Sequence, residues 1–169
     1  DAKEKIETLD GNNFMLMPDD LVIADGTHIL GIAGIKGGKR AEVTAATTRI
    51  VVEAATFDAT ALYKTSKRLK LMTDASQRFT HNFSSAMPQE AMLRATELLI
   101  TICRARVGEV VDFYPKKMKP AVLKFSVDEF NKLSGMKLSA TQALGYLKRL
   151  GFEIRGGKAG GVSVVAPAR

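Results

Sequence analysis

The sequence has few of the residues that build disulfides, metal centres or nucleophilic sites. Its 169 residues include no tryptophan, one cysteine and two histidines. A single cysteine, Cys103, excludes a disulfide within the chain and favours a reducing, cytoplasmic location. His28 and His81 lie far from it and from each other, so no ligand spacing of a structural zinc site is present. A nucleophilic Cys103 is disfavoured, because only these two histidines could activate it.

Long apolar runs and the common phosphate-binding loops are also absent from the sequence. The apolar run at 98–103 is far shorter than the roughly 20 residues that cross a bilayer, and no signal-peptide pattern opens the chain. The glycine-rich stretch 31–39 fits neither G-x-G-x-x-G nor G-x-x-x-x-G-K-[ST]. We therefore expect neither a membrane partner nor a loop that cradles phosphate.

Acidic residues are outnumbered by basic ones, 18 against 25, and the formal net charge is +7. This excess favours an acidic partner, with nucleic acid as the first candidate. The candidate contacts are basic side chains on predicted helices, namely Lys64, Lys67, Arg68, Lys148 and Arg149. A solvated helix face is the alternative for each cluster. The lack of clustered aromatic residues beside them argues against sequence-specific reading of bases.

The first part of the chain is patterned as short strands followed by helices. Apolar runs between turn signals predict four strands, over residues 14–17, 21–24, 28–33 and 49–56. Asp58 is predicted to cap a helix through Leu62 and Leu69. A longer helix is predicted after Pro88, with Gly108 at its end. Its apolar residues at helical spacing are predicted to lie in the core, and they are Met92, Ala95, Leu99 and Ile102.

The composition changes at residues 115–120, where two prolines bracket a basic run. Because proline continues neither a helix nor a central strand, we predict a linker there between domains 1–114 and 121–169. After it come a strand, a short helix, a helix opened by the capping pair Ser139 and Gln142, and a hairpin across glycines. The fold class is therefore α+β, with a mixed sheet and packed helices followed by a small winged-helix-like α/β module.

Glu53 is a single carboxylate within the apolar run 50–55. On a strand, the alternation of side chains places it on one face with Val51 and Ala55. One interpretation is a glutamate on an edge strand that faces water. The other is an acceptor for a ligand hydroxyl in an apolar pocket, since such a site rejects an analogue without the hydroxyl by roughly 10⁴. Tyrosine and phenylalanine are a pair that differ in this way.

Three stretches occur in one order, at 31–38, 51–58 and 71–79, and together they resemble the editing module of the bacterial phenylalanyl-tRNA synthetase β subunit. The residues that carry the resemblance are, in chain order, Leu-Val-Ile-Ala at 21–24, Gly-Gly at 37–38, Glu53 and Thr-x-Ala-Ser at 73–76. Residues 7–78 are similar to the second half of that module. Residues 121–167 are similar to the fifth module of the family. The first residue is Asp1 rather than methionine, and we hypothesise that the chain is a piece of a longer subunit.

The resemblance implies a role for four residues in an editing pocket. Gly37 would leave space for an aromatic ring, and Glu53 would accept from the hydroxyl of tyrosine. Thr73 and Ala75 would shape the wall. In the family this site hydrolyses tyrosine wrongly attached to the tRNA for phenylalanine, and the resemblance implies a positioned water with no nucleophile from the protein.

The resemblance also implies partners and cofactors outside this chain. The partners are an α subunit in an α2β2 ligase and tRNA(Phe), with ATP and Mg²⁺ at the aminoacylation site on the α subunit. No cofactor, metal ligand or catalytic residue is assigned to this chain. The family usually has Glu-Arg-Gly where this sequence has Thr80, His81 and Asn82, and a family histidine that contacts substrate has no counterpart here. We expect the isolated chain to be inactive.

The alternative function is a binding or scaffolding module without chemistry, in which the basic winged-helix-like region contacts nucleic acid through phosphates.

Overall fold

The computed structural model describes residues 4–81, 83–115, 119–156 and 162–167. Helices and antiparallel strands occur in both halves, which confirms the α+β class. In place of one mixed sheet, the described strands form three small antiparallel sheets. The chain divides into two units, Asp1–Val107 and Gly108–Arg169. The linker at 115–120 stays a prediction, and its residues 116–118 lie outside the described ranges.

Five short strands form two sheets at the start of unit 1. They are β1 (Lys5–Glu7), β2 (Asn13–Met15), β3 (Val22–Ala24), β4 (Ile29–Ile32) and β5 (Lys36–Gly37). β1 pairs with β2, and β3, β4 and β5 pair in chain order. An isolated antiparallel bridge between Thr8 and Gly38 joins the two sheets. A Cβ at Gly38 would lie 2.7 Å from the carbonyl oxygen of Leu30, so this close approach of two backbones requires glycine.

Three α-helices follow a 3-10 turn at Lys39–Ala41: α1 (Ala59–Leu69), α2 (Asp74–Phe79) and α3 (Met87–Cys103). The Asp58 side chain accepts from the backbone N–H of Ala61 at 2.7 Å, which confirms the predicted cap. α3 ends at Cys103 and not at Gly108, because Arg104 adopts a left-handed conformation with φ 53°.

The core of unit 1 lies between the sheets and α1. Its buried members are Ile6, Leu16, Ile32, Ile35 and Leu62. The prediction that the apolar stripe of α3 belongs to this core is wrong, since α3 has no buried residue. Met92, Ala95 and Leu99 are half-buried and Ile102 is 74% exposed. The helical spacing predicted the helix correctly, but the described part of unit 1 supplies no surface that buries the stripe.

The prediction of a strand at residues 49–56 is also wrong. The segment has no regular secondary structure, and it pairs with none of the described strands. Val51 is 98% exposed and Ile50 is 51% exposed. A β-branched run favours a strand only where a neighbouring edge offers hydrogen bonds and packing, and here no described edge does so.

Unit 2 has the element order predicted for a winged-helix-like module. The elements are β6 (Val122–Phe125), α4 (Val127–Ser134), α5 (Ala140–Arg149), β7 (Glu153–Arg155) and β8 (Val162–Val165). The strands form one antiparallel sheet in the order β6-β8-β7. Ser139 and Gln142 form the predicted capping box of α5. The predicted glycine tip of the hairpin falls largely on residues 157–161, outside the described ranges.

Within the ranges that the structure describes, no helix has the length and apolar character needed to cross a membrane.

Candidate functional site

The glycine stretch 31–38 and the start of α2 meet through Thr73. Its hydroxyl donates to the carbonyl of Ile35 at 2.8 Å and accepts from the N–H of Ser76 at 3.1 Å. The Ser76 hydroxyl oxygen in turn accepts from the N–H of Thr73 at 2.9 Å. This capping box satisfies free amides of the first turn, and the bond to Ile35 holds that turn against the loop between β4 and β5. The structure therefore brings the first and third predicted stretches together through this bond, and the second reaches them through Phe57, whose ring lies 5.4 Å from that of Phe79.

Gly34 and Gly37 lie in tight positions of that loop and strand. Gly34 has φ +64°, and a Cβ there would lie 2.5 Å from Cδ2 of Leu62. A Cβ at Gly37 would lie 2.9 Å from Cδ1 of Leu9. The space beside Gly37 is thus shared with Leu9, which is 43% exposed. An aromatic ring could enter beside Gly37 only after the Leu9 side chain changes its rotamer.

Ala75 follows Thr73 in the first turn of α2 and is half-buried. The next residue, Ser76, is only 2% exposed. Ala75 therefore lies beside the capping box, and its place in a ligand pocket stays a prediction.

Glu53 is exposed and lies in the segment without regular secondary structure. Between described residues, no hydrogen bond or ion pair joins its carboxylate to the glycine stretch or to Thr73. Partial burial raises the pKa of this carboxyl above its ordinary value, since nearby apolar atoms disfavour the charged form. Glu53 is therefore an available acceptor that the structure does not place against the other predicted pocket residues.

An aromatic cluster beside the site was missed by sequence reasoning. Phe57 and Phe79 pack edge to face with ring centroids 5.4 Å apart, and Phe79 and Phe83 do so at 5.5 Å. The cluster joins the segment after Glu53 to the end of α2. The sequence did contain a signal for this cluster, because Phe57 and Phe79 lie in two of the stretches that carry the resemblance.

Two clefts open on the described surface of unit 1. The larger, about 740 Å³, lies between β1, the turn from β3 to β4 and the 3-10 turn. The smaller, about 510 Å³, is lined by Asp74, Gln77, Arg78, His81 and Phe83. Gly37, Glu53, Thr73 and Ala75 line neither of them. No group of three or more potential metal-ligating side chains occurs in the ranges given above.

Comparison with known proteins identifies the family. The B3/4 domain family matches residues 1–104, which is more than half of the chain. This chain belongs to the B3/4 domain family. The chain is also similar over most of its length to proteins named phenylalanine–tRNA ligase β subunit, which confirms the resemblance described above.

Three relatives illustrate this similarity. The β subunit of Moorella thermoacetica is 38% identical over 98% of this chain and 20% of its own length. The β subunit of Geobacter metallireducens is 35% identical over 90% of this chain and 19% of its own length. The β subunit of Rickettsia felis is 35% identical over 97% of this chain and 20% of its own length. The chain thus spans about a fifth of the length of these curated relatives.

The basic residues predicted on α1 of the B3/4 domain have different surroundings. Lys64 is exposed, and the Lys67 ammonium lies 5.5 Å from the ring centre of Tyr63. Arg68 forms an ion pair with Asp20, whose side chain is 4% exposed. Arg68 also donates to the carbonyl of Met15 at 3.3 Å. Its guanidinium therefore holds the loop after β2 against α1.

The two basic residues predicted in unit 2 lie at the end of α5. Lys148 and Arg149 are both exposed. The Arg149 guanidinium lies 4.7 Å from the ring centre of Tyr146, which is 48% exposed. This pair forms a flat cationic and aromatic surface on the helix, and such surfaces suit phosphates or bases.

Proposed function

We propose that this chain is part of the β subunit of a phenylalanine–tRNA ligase and contributes the pocket that edits tyrosine attached to tRNA(Phe). The family and the similarity over nearly the whole chain support the subunit. The observation that best supports the pocket is the bond from Thr73 to the carbonyl of Ile35. It holds the Thr-x-Ala-Ser turn against the glycine stretch, as a shared ligand site requires.

The chemistry proposed for Glu53 is selection by hydrogen bonding. An ionised carboxylate is only an acceptor, so it bonds a phenolic hydroxyl and finds no partner on a benzene ring. A site of this kind disfavours the analogue without the hydroxyl, because its own polar group is left unpaired. Glu53 would move from its exposed position to meet Gly37, Thr73 and Ala75 when the ring enters. A positioned water would carry out hydrolysis of the ester.

The proposed partners follow from the same subunit assignment. They are an α subunit in an α2β2 assembly and tRNA(Phe), with tyrosine as the editing ligand. ATP and Mg²⁺ would act at the aminoacylation site on the α subunit. The isolated chain is proposed to be inactive, since it spans about a fifth of its relatives. Of the residues that depart from the family pattern, Asn82 lies outside the described ranges.

Deacylation of tyrosyl-tRNA(Phe) by the assembled ligase tests this proposal. Glu53→Gln should lower the rate of hydrolysis by about 10-fold, because a neutral amide oxygen accepts from the phenol more weakly than an ionised carboxylate does. Attachment of phenylalanine should continue at its original rate. Glu90→Gln is the matched control, since Glu90 is also an exposed glutamate of unit 1. Wild-type hydrolysis by the Glu53→Gln enzyme would contradict the proposal.

The alternative is a binding module that contacts nucleic acid through unit 2. The stacked pair Tyr146 and Arg149, with Lys148 beside it, favours this function. Binding of duplex DNA should then weaken steeply with salt, since phosphate contacts release counterions. Replacement of Lys148 and Arg149 by alanine should reduce both the affinity and the salt slope. Binding that is unchanged by these replacements would contradict the alternative.

A further inference from the structure

The segment that carries Glu53 is anchored at one end. Every residue at 39–53 is exposed, whereas Ala54 and Ala55, which follow Glu53 directly, are half-buried. Soon after them, Asp58 caps α1 with its side chain. Glu53 is therefore the last residue of the exposed stretch, and the chain meets the rest of unit 1 immediately after it.

Phe57 forms the anchor. Its side chain is half-buried and packs against the core of unit 1. Its ring meets the ring of Phe79 edge to face, with centroids 5.4 Å apart and an interplanar angle of 61°. Phe79 itself packs against Phe83 at 5.5 Å. Because edge-to-face pairs add to the stability that burial alone supplies, the cluster at the end of α2 fixes the ring of Phe57.

The same two rings lie against Gly34 of the glycine stretch. A Cβ at Gly34 would lie 3.0 Å from Cδ2 of Phe57 and 3.3 Å from Cδ2 of Phe79. Glycine lets the rings approach the backbone of this loop closely, because no side chain intervenes. The carbonyl of the next residue, Ile35, accepts from the Thr73 hydroxyl at 2.8 Å. Phe57 thus meets the glycine stretch one residue before the carbonyl that bonds Thr73.

The anchor limits where Glu53 can go. Four residue steps separate it from Phe57, so the two Cα atoms lie at most roughly 14 Å apart. Because the ring is held at Gly34, residues 54–55 stay against the protein and only the chain before them is exposed. With the ring released, the segment would be fixed only from Asp58 onwards. The population in which Glu53 faces the pocket would then fall.

We propose that Phe57 is a positioning residue for editing, whose ring holds the Glu53 segment at the glycine stretch so that the carboxylate meets the hydroxyl of tyrosine. The inference rests on the proposed function and adds a residue that touches neither the tyrosine nor the ester. Phe57 acts through Glu53: it contributes to the choice of tyrosine over phenylalanine and takes no part in the attack of water. The anchor also lowers the cost of ordering Glu53, since less of the segment remains to be immobilised when the ligand binds.

Deacylation by the assembled ligase tests whether Phe57 acts through Glu53. Phe57→Leu keeps an apolar side chain but removes the ring, and it should slow hydrolysis of tyrosyl-tRNA(Phe) by about 5-fold, the scale of one lost aromatic pair. Hydrolysis of phenylalanyl-tRNA(Phe) should not change, because phenylalanine offers no hydroxyl to Glu53. In the Glu53→Gln background, Phe57→Leu should cause no further loss. Phe57→Tyr keeps the ring and should retain most of the wild-type rate.

Two results of this assay would overturn the assignment. One is a double variant whose loss is the product of the two single losses, and the other is an equal loss on both tRNA substrates, since each indicates a ring that only stabilises the fold. Phe83→Leu is the matched control, because Phe83 also packs edge to face on Phe79 but lies outside the Glu53 segment. It should leave the preference for tyrosyl-tRNA(Phe) within about 2-fold of the wild type.

Cleavage of this chain by a glutamate-specific protease tests the anchor without tRNA or tyrosine. Residues 54–57 follow the bond after Glu53 and must leave the protein surface before a protease can bind them in extended form. Phe57→Leu should speed cleavage after Glu53 by about 5-fold. Cleavage after Glu42, which is also exposed, should keep its rate and is the internal reference.

The two assays separate failure of the anchor from failure of the editing role. An unchanged rate after Glu53, or equal acceleration after Glu53 and Glu42, would overturn the anchor whatever Glu53 does in editing. Wild-type editing by the Glu53→Gln enzyme, together with faster cleavage in Phe57→Leu, would contradict the proposed function and with it the positioning role, while the anchor itself would stand.

Discussion

Thr73 and Glu53 belong to the same predicted pocket, yet Thr73 is fixed by hydrogen bonds and Glu53 is exposed. Thr73 forms two hydrogen bonds with Ser76 that cap α2, and a third, to the carbonyl of Ile35, ties α2 to the loop before β5. Glu53 lies in an exposed segment beside Val51, which is 98% exposed. A turn and a helix cap form from nearby residues, whereas a strand forms only against a partner edge. The half of the proposed site around Thr73 is therefore rigid, whereas the half around Glu53 must become ordered when the ligand binds.

The largest effect is expected in the rigid half, at Gly34. Gly34→Ala would add a Cβ 2.5 Å from Leu62 and place alanine at φ +64°. Overpacking and backbone strain should together lower the free energy of unfolding by about 3 kcal/mol, measured by denaturant titration. Gly26→Ala is the control, since nothing lies within 4 Å of its Cβ position, and it should change stability by less than about 1 kcal/mol. Equal effects would show that the loop is not rigid.

The ion pair of Asp20 and Arg68 should give the next largest effect. Burial alone raises the pKa of Asp20, but hydrogen bonds from Met17, Thr65 and Arg68 outweigh it and lower the pKa below 3.8. Asp20→Ala should cost about 2 kcal/mol at neutral pH, because it leaves the buried Thr65 hydroxyl without its acceptor and removes the ion pair of Arg68.

The pH dependence of the Asp20 contribution follows from the lowered pKa. The unfolded state binds the proton more readily than the folded state, so the stabilisation is present above pH 3.8 and is lost as the pH falls through the folded pKa. Unfolding curves at pH 7 and in stronger acid should show the difference between wild type and Asp20→Ala shrinking. A constant difference would contradict this account.

A smaller effect is expected at Thr73. Thr73→Val removes the hydroxyl that caps α2 and bonds Ile35, and it should cost about 1 kcal/mol. Thr73→Ser retains the hydroxyl oxygen, so it should lower the free energy of unfolding by only a few tenths of a kcal/mol. Hydrogen exchange at the amides of α2 should become faster in the valine variant alone. Similar exchange in both variants would indicate that the cap does not hold the helix.

The smallest effect on stability is expected at Glu53. Its side chain is exposed, so Glu53→Gln should change the free energy of unfolding by less than about 0.5 kcal/mol. The raised pKa of Glu53 means that the fold disfavours the charged form, so any change at neutral pH should be stabilising. A clear loss of stability would show that Glu53 already forms part of the packed structure.

Local signals in the sequence predicted much of this fold. The predicted caps Asp58 and Ser139 both act where helices begin, because each satisfies amides within its own first turn. Two predictions that needed distant partners were wrong. Among the described residues, no surface buries the α3 stripe and no strand pairs with residues 49–56. The position of Glu53 depended on that strand, so its place in the pocket could not be predicted from alternation alone.

A structure of the assembled ligase with bound tyrosine tests the central claim most directly. The account predicts that the phenolic oxygen lies about 2.5–3.0 Å from a carboxylate oxygen of Glu53, with the ring beside Gly37 and the wall of Thr73 and Ala75. A tyrosine bound with its hydroxyl on another group, while the Glu53 carboxylate points into solvent, would contradict it.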